Sequence, residues 1–222
     1  MITEYGYDVF FAVVLFCLVL ALGSYFLIDH LIVKTVLVSS AILLFIFTLN
    51  FFRDPERVVP ADPGALVAGA DGLVRAVEIV REDQHLKAET VRVSIFLSPF
   101  DVHVNRSPMA GQVEFLDYTP GKHFLTIQNA ASEYNEHSNI LIHGKASRCL
   151  VKQIVGPIVR RVVYWLRLGQ SIGKGERIGM MKFGSRLDMY FLYSDVQVVV
   201  KKGDRVRAGE TVVALLSKKG EE

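Results

Sequence analysis

Two long apolar runs at the N-terminus constrain the fold of this chain more than any other feature of its sequence. Val9–Ile28 contains no charged residue, and about 20 such residues are enough to cross the hydrocarbon core of a bilayer as a helix. After Asp29 and His30, the second run, Leu31–Phe52, contains a single charged residue near its start. We therefore predict that residues 1–52 form a two-helix hairpin that anchors the protein in a membrane.

Two alternatives for this segment stay open: a hairpin buried in a soluble protein, and a shallow hairpin that does not cross the bilayer. A secretory signal is disfavoured, because the residues before the first run include Glu4 and Asp8 but neither Lys nor Arg. Arg53 and Arg57 closely follow the second run. Positive residues favour the cytoplasmic side, so we predict a cell-membrane protein whose remaining residues face the cytoplasm.

The composition excludes several classes of function. The net charge is only +2 over 222 residues and the basic residues are scattered, which argues against nucleic acid as a partner. The two cysteines, Cys17 and Cys149, lie far apart, and no cysteine or histidine cluster has the spacing of a metal site. We expect neither a disulfide nor a bound metal.

Prolines and short strand signals follow the apolar runs. Pro55, Pro60 and Pro63 mark a linker over residues 53–64. Residues 65–222 then contain short β-branched runs separated by Gly, Pro or Asp, which predicts a mainly β (α+β) globular domain. The predicted strands are Ala65–Val67, Leu73–Ile79, Thr90–Leu97, Gly111–Phe115, Phe124–Ile127, Asn139–His143, Gln153–Gly156 and Tyr164–Leu166. The segment Ile158–Leu168 is ambiguous, since its pattern also permits a helix.

An internal repeat indicates how some of these strands are arranged. Residues 169–178 and 203–212 share the pattern G-x-x-[IV]-x-x-G-E-x-[IV]. The glycines permit the chain to reverse, and the Ile or Val side chain points inward. Similar hairpins build lipoyl and biotin carrier domains, so we predict barrel-sandwich, lipoyl-like hairpins.

The pair Gly184–Ser185 lies between the two copies of the repeat. In a strained turn, the serine hydroxyl can attack the preceding carbonyl and convert the peptide bond into an ester, although most Gly-Ser pairs form ordinary turns. Met180, Met181 and Lys182 just before it are also similar to the attachment segment of biotin carriers. A non-enzymatic, membrane-tethered carrier module therefore remains an alternative.

Three polar clusters carry groups suited to acid–base chemistry. Asp101 and His103 alternate along an extended segment and are expected to face the same way. A carboxylate beside an imidazole fixes the tautomer of the ring and raises its basicity. Asp71 lies in an Asp-Gly turn, and Asn135 and Glu136 lie in a loop. Each cluster is also compatible with an ordinary turn or surface loop.

Five segments together resemble the phosphatidylserine decarboxylase family in its short, prokaryotic-type form. The resemblance runs from about Phe51 to the C-terminus, and the segments occur in the order that the family has. They are Phe51–Arg57, Ala70–Gly72, Ser98–Arg106, Asn135–Glu136 and Lys182–Ser185.

This resemblance implies a proenzyme that cuts itself between Gly184 and Ser185. Its products are a β chain, residues 1–184, and an α chain, residues 185–222, which stay together as a heterodimer. Ser185 becomes a pyruvoyl group, which takes the place of pyridoxal phosphate and forms a Schiff base with the substrate amine. The implied reaction converts phosphatidylserine to phosphatidylethanolamine in phospholipid biosynthesis, with a lipid of the surrounding phospholipid membrane as substrate.

The resemblance also assigns roles to residues of the candidate site. His103 matches a histidine that transfers protons, and Asp71 matches an aspartate of the base system for self-cleavage. Asp101 is expected to orient His103. Arg106 stands where longer family members have a second histidine, and an arginine cannot act as a general base.

Arg106, Asn135 and Glu136 are the expected substrate-binding residues. A related serine-headgroup lipid with ether-linked chains stays open as the substrate. A homo-oligomer stays open as the assembly state.

Overall fold

The computed structural model describes residues 1–121, 135–156, 161–164, 166–182 and 185–217. The chain divides into two compact units, Met1–Pro55 and Glu56–Glu222. This division falls inside the expected linker, residues 53–64. The exact bounds of the linker and of the domains stay a prediction.

The first unit is a helical hairpin. A 3-10 turn over Glu4–Gly6 leads into α1, Tyr7–Leu27, and α2 follows over Leu31–Phe51. Both helices are long and apolar enough to cross a membrane by length and composition. Large apolar side chains are exposed along both helices, which is the pattern of a membrane span rather than of a surface helix with one apolar stripe.

The start of the chain pairs with the end of α2. The backbone nitrogen of Thr3 donates to the carbonyl of Phe52 at 2.9 Å, and that of Asp54 donates to the carbonyl of Met1 at 2.7 Å. These bonds satisfy backbone groups at the open end of the hairpin, where the helices leave carbonyls without an intrahelical partner.

The second unit is built from short strands in three sheets. The strands are β1 Ala65–Val67, β2 Gly72–Glu82, β3 Ala88–Phe96, β4 Val104–Arg106, β5 Gly111–Thr119, β6 His137–His143, β7 Arg148–Ile154, β8 Arg161–Val163, β9 Ser171–Ile172, β10 Arg177–Lys182, β11 Arg186–Leu192, β12 Val196–Val198, β13 Arg205–Val206 and β14 Val212–Leu216. An eight-stranded antiparallel sheet has the order β13-β2-β3-β11-β7-β6-β5-β9, and two three-stranded sheets have the orders β1-β14-β12 and β4-β10-β8. The prediction of a mainly β domain preceded by two apolar helices is confirmed.

The core lies on one face of the eight-stranded sheet. Alternate residues of a strand point to opposite faces, and on β11 the apolar set Leu187, Met189 and Phe191 faces the main core cluster. The intervening residues of β11, Arg186, Asp188 and Tyr190, belong to the opposite face, and they are buried as well.

The internal repeat adopts the same conformation in both copies. In the first copy the Gly169 nitrogen donates to the Val113 carbonyl, and in the second the Gly203 nitrogen donates to the Val74 carbonyl. Their inward-pointing residues are both buried. In the first copy β9 pairs with β5 and β10 pairs with β4. In the second copy β13 pairs with β2 and β14 pairs with β1. The repeat therefore forms one structural unit that occurs twice.

Arg106 lies where the two copies meet. Equivalent glycines of the repeat, Gly175 and Gly209, both have positive φ, at 74° and 75°. The guanidinium nitrogen Nη1 of Arg106 donates to the Gly175 carbonyl at 3.0 Å, and a Cβ at Gly209 would come within 3.0 Å of Arg106 Cδ. The buried arginine side chain thus fills the space between the turns.

Some of the predicted elements need correction. In its described part the ambiguous segment Ile158–Leu168 contains the strand β8 and no helix, because β10 supplies backbone partners for Arg161–Val163. Strand β8 ends before the predicted strand Tyr164–Leu166, and β7 ends at Ile154 where the prediction continued to Gly156. The predicted strand Phe124–Ile127 lies outside the described residues.

A pair of glycine substitutions tests the packing of the repeat on Arg106. Gly203 has φ of 99° and no atom within 4 Å of an added Cβ, so Gly203→Ala carries only the backbone cost of about 1–2 kcal/mol. Such a loss lowers the thermal midpoint by roughly 2–8 °C. Gly209→Ala adds the contact with Arg106 and is expected to lower the midpoint further. Equal midpoints for the two variants in thermal unfolding would show that Arg106 does not pack there.

Candidate active site

Several candidate residues lie along one border of the eight-stranded sheet, the edge that is formed by the ends of its strands. Leu73, Phe96, Arg186, Ile154 and His137 form one row across five neighbouring strands. The strands β2, β11 and β6 run in the same direction, and each has its N-terminal end at this edge. The three candidates that precede the row on these strands therefore lie along the same edge, and they are Asp71, Ser185 and Glu136.

Ser185 stands in the middle of this edge. It directly precedes β11, and its carbonyl accepts a hydrogen bond from the Leu97 nitrogen at 3.0 Å, which continues the ladder between β3 and β11. Its side chain is fully buried. The hydroxyl has no hydrogen-bond partner among the residues that the structure describes. Gly184, the other residue of the predicted cleavage site, lies outside them.

His103 is held beside the strand that leads to Ser185. The carbonyl of His103 accepts from the Met181 nitrogen at 3.3 Å, and its side chain is fully buried. Its ring nitrogen Nδ1 is 2.9 Å from the Asp101 carbonyl. Because a carbonyl oxygen only accepts, Nδ1 carries the proton in the neutral ring, and Nε2 carries the lone pair that can take up another.

Asp101 contacts His103 through its main chain rather than through its carboxylate. The carboxylate accepts from the Ser98 nitrogen at 2.8 Å, closing the turn after β3, and lies 3.8 Å from Arg205. The contact with His103 thus uses a different group of Asp101 from the one in the sequence argument, and the orientation of His103 by Asp101 stays a prediction. The reason for the difference is that the carboxylate accepts a hydrogen bond from the backbone nitrogen of Ser98, the first residue of this short turn.

Asp71 is held by an ion pair that the sequence did not indicate. Its carboxylate accepts from Arg57 Nη2 at 2.8 Å and 3.0 Å and from the Ala208 nitrogen at 2.8 Å. Arg57 also lies 3.5 Å from Glu210 of the second repeat copy. The side chains of Arg57 and Asp71 are only 7% and 14% exposed. Arg57, which the sequence analysis placed in the linker, therefore belongs to the candidate site.

The predicted substrate-binding residues fall in two different places. Arg106 lies between the repeat turns, as described above, and its assignment to substrate binding stays a prediction. Asn135 donates through Nδ2 to the Val155 carbonyl at 2.9 Å, which ties the start of β6 to the end of β7. Glu136 lies at the candidate edge.

Glu136 lines a cavity of about 390 Å³ together with Tyr118 and Val162–Tyr164. Its carboxylate hydrogen-bonds to the Tyr118 hydroxyl, and this bond, together with burial and the carboxylate charge, raises the pKa of Tyr118 to about 12. Burial lowers the pKa of the neighbouring His137. The edge therefore keeps a protonated phenol beside a carboxylate and a neutral imidazole at neutral pH.

The sequence argument missed Tyr118 and the pair Arg186–Asp188. Arg186 Nη2 donates to Asp188 at 2.9 Å, and both side chains are almost fully buried. The available signal was the alternation of Arg and Asp within an otherwise apolar strand directly after Ser185. Tyr118 carries no such signal, because its contact with Glu136 joins β5 to the start of β6.

Two other kinds of site were considered. Within the described ranges, no three His, Cys, Asp or Glu side chains converge as metal ligands. In a carrier domain the modified lysine lies at the tip of a hairpin of two paired strands. Here β10, which ends at Lys182, and β11, which follows, belong to different sheets. This arrangement disfavours the carrier alternative.

Comparison with known proteins agrees with the resemblance noted above. The family model for phosphatidylserine decarboxylase matches residues 44–214. Among similar proteins, three named phosphatidylserine decarboxylase proenzyme come from Carboxydothermus hydrogenoformans, Desulfotalea psychrophila and a Chlorobium phaeobacteroides strain. The first is 46% identical over 171 residues, 77% of this chain and 80% of the relative. The second is 44% identical over 168 residues, 75% and 78% of the two chains. The third is 41% identical over 214 residues, 96% and 99% of the two chains. The chain thus belongs to the phosphatidylserine decarboxylase family.

Proposed function

We propose that this protein is a self-processing decarboxylase that converts phosphatidylserine to phosphatidylethanolamine. Family membership supports the reaction. The observation that carries the proposal for this chain is the Ser185 hydroxyl, which is fully buried, has no partner among the described residues and directly precedes the central strand β11. A buried hydroxyl without a hydrogen bond is costly to the fold, so such a group is expected to have a chemical use.

Ser185 fits the role of the residue that gives rise to a pyruvoyl group. Such a group supplies an electron sink for the carbon that loses CO₂, the task that pyridoxal phosphate performs in other enzymes. The chain holds the site rigidly, because the carbonyl of Ser185 is fixed by Leu97. Burial of the side chain keeps bulk water away from this position.

His103 is proposed to move protons at this site. Its Nδ1 is fixed on the Asp101 carbonyl, so Nε2 is the atom that takes up and releases a proton. Asp71, held by Arg57 and the Ala208 nitrogen, is proposed to belong to the base system for self-cleavage. Arg57 orients this carboxylate, because its Nη2 donates to both carboxylate oxygens.

Glu136 and Tyr118 are proposed to bind the polar headgroup. Their cavity opens at the same sheet edge as Ser185, two strands away, and neighbouring strands are about 4.8 Å apart. A serine headgroup carries an ammonium group that a carboxylate can bind.

The helical hairpin is proposed to anchor the enzyme in the membrane that holds its substrate, with residues after Phe52 facing the cytoplasm. Arg53 and Arg57 support this orientation. A tethered enzyme meets its lipid substrate in two dimensions and needs to lift only the headgroup.

Replacing Ser185 tests the self-cleavage. Ser185→Ala is expected to leave one intact chain without decarboxylase activity, because it removes the hydroxyl that forms the ester and then the pyruvoyl group. Intact-protein mass spectrometry measures the cleavage, and release of CO₂ from phosphatidylserine measures the activity. The matched control is Ser94→Ala, which alters another buried serine on the neighbouring strand β3 and is expected to be cut like the wild type. Normal cleavage of Ser185→Ala contradicts the proposal.

Replacing His103 tests the proton-transfer step. His103→Ala is expected to lower the rate of processing, of decarboxylation or of both by about 10²–10⁴-fold, the usual contribution of a positioned acid or base. Processing is followed by gel electrophoresis and turnover by release of CO₂. Complete processing together with wild-type turnover would remove His103 from the mechanism.

The choice of lipid separates the proposed substrate from its alternative. Purified enzyme is given vesicles that contain either diacyl phosphatidylserine or a serine lipid with ether-linked chains. Turnover of the diacyl lipid is expected. Turnover of the ether lipid alone would assign the alternative substrate.

A further inference from the structure

A chain of three buried polar side chains runs across the interior face of the sheet toward Ser185. Ser138 on β6 donates through its hydroxyl to Gln153 Oε1 on β7 at 2.7 Å. Gln153 Nε2 donates to Asn105 Oδ1 on β4 at 2.7 Å. All three residues are fully buried. The bonds fix the orientation of the Asn105 amide, because its oxygen must face Gln153.

This row of hydrogen-bonded side chains ends in a donor that makes no hydrogen bond to the described part of the protein. Asn105 Nδ2 has no hydrogen-bond partner among the residues that the structure describes. Buried polar atoms nearly always have a partner. The Asn105 amide nitrogen and the Ser185 hydroxyl are both buried, and neither has a hydrogen-bond partner among the residues that the structure describes.

Strand register brings these two groups to the same face. Gln153 pairs with Leu187, and Ser185 precedes Leu187 by two residues, so its side chain shares the face of Leu187. Asn105 reaches this face from the opposite sheet through its bond to Gln153. It also lies two residues after His103, so the two side chains share one face of their segment.

Gly179 leaves room for this arrangement. It pairs with Asn105 in the ladder between β10 and β4. A Cβ at Gly179 would lie 3.2 Å from Gln153 Nε2 and 2.5 Å from the Val163 carbonyl. A glycine is therefore required here by the backbone of β8 in the same sheet, and it also leaves space for Gln153 of the other sheet.

We propose that Asn105 is a catalytic residue of self-processing, a role that rests on the proposed function. In the step concerned, Ser185 Oγ bonds to the preceding carbonyl carbon, whose double bond opens to C–O⁻. The carbon–nitrogen bond then breaks, the carbonyl re-forms as an ester, and the nitrogen takes up the proton that left Oγ. Asn105 Nδ2 donates a hydrogen bond to the oxygen that bears the transient negative charge. Gln153 is the positioning residue that holds this donor, because its Nε2 bonds directly to Asn105 Oδ1.

The decisive variant is Asn105→Asp, which keeps the shape of the side chain and removes its donor. Removing one donor to such an oxygen usually lowers the rate by about 10²–10³-fold, so processing is expected to slow by that factor. The rate is measured by pulse labelling of the full-length chain in membranes, followed by electrophoresis. The matched control, Ser138→Ala, loses the hydrogen bond at the far end of the same chain and is expected to be cut within a few-fold of the wild-type rate.

A second variant distinguishes the loss of the Asn105 donor from a failure of the protein to fold. Asn105→Leu/Gln153→Leu replaces two hydrogen-bonded partners by apolar groups of similar size, which a core often tolerates. It is expected to keep the thermal midpoint close to that of Ser138→Ala while processing remains slow. A wild-type processing rate in either Asn105 variant overturns the role of Asn105. An uncut wild-type chain, or cleavage of Ser185→Ala, would instead overturn the proposed function itself.

Discussion

The ladder of backbone hydrogen bonds that fixes β11 between β3 and β7 is the constraint on which the rest of the structure depends. It pairs Arg186 with Phe96 on one side and with Ile154 on the other. Ser185 directly precedes this strand, so its backbone is held by neighbours that are themselves inside the sheet. A side chain on such a strand is placed more accurately than one on a loop, because register allows no slip without turning every core residue outward. The packing of the core therefore fixes the position of Ser185 in the candidate site.

The same edge concentrates polar groups in a region with little water. The pairs Arg57–Asp71 and Arg186–Asp188 are both largely buried. Buried charges cost free energy unless they are paired, and removing one partner of such a pair costs about 3–5 kcal/mol. In these surroundings each hydrogen bond is stronger than in water. The fold thus retains, close to Ser185, an arrangement of charges that a purely structural domain would replace by apolar side chains.

The sequence was informative where a local rule decides the structure. The helices followed from the length of the uncharged runs, and the repeat turns followed from glycines that must adopt positive φ. The motifs around Ser185, His103 and Asp71 were visible in the sequence, and the resemblance assigned their roles. The placement of Ser185 and Asp71 along one edge was out of reach, because it depends on the register of neighbouring strands. The segment that contains β8 was ambiguous because its pattern also permits a helix, and only the pairing of β8 with β10 decides between the two. The pair Arg57–Asp71 and the contact of His103 with a main-chain carbonyl were likewise out of reach, because both depend on tertiary placement.

The way in which the strands interleave has a consequence for the folding of a cut chain. Residues 185–222 contribute β11 to the middle of the large sheet, β13 to the edge of β2, and β14 to the partner of β1. A fragment whose strands pair inside several sheets is expected to fold only while it is still joined to the rest of the chain. The reason is that closing a loop within one chain costs less entropy than the association of two chains. If the chain is cut after folding, as proposed, its native state can form only from the intact precursor. Such a cut protein would persist through kinetic stability, because its two fragments would have no intramolecular route back once unfolded.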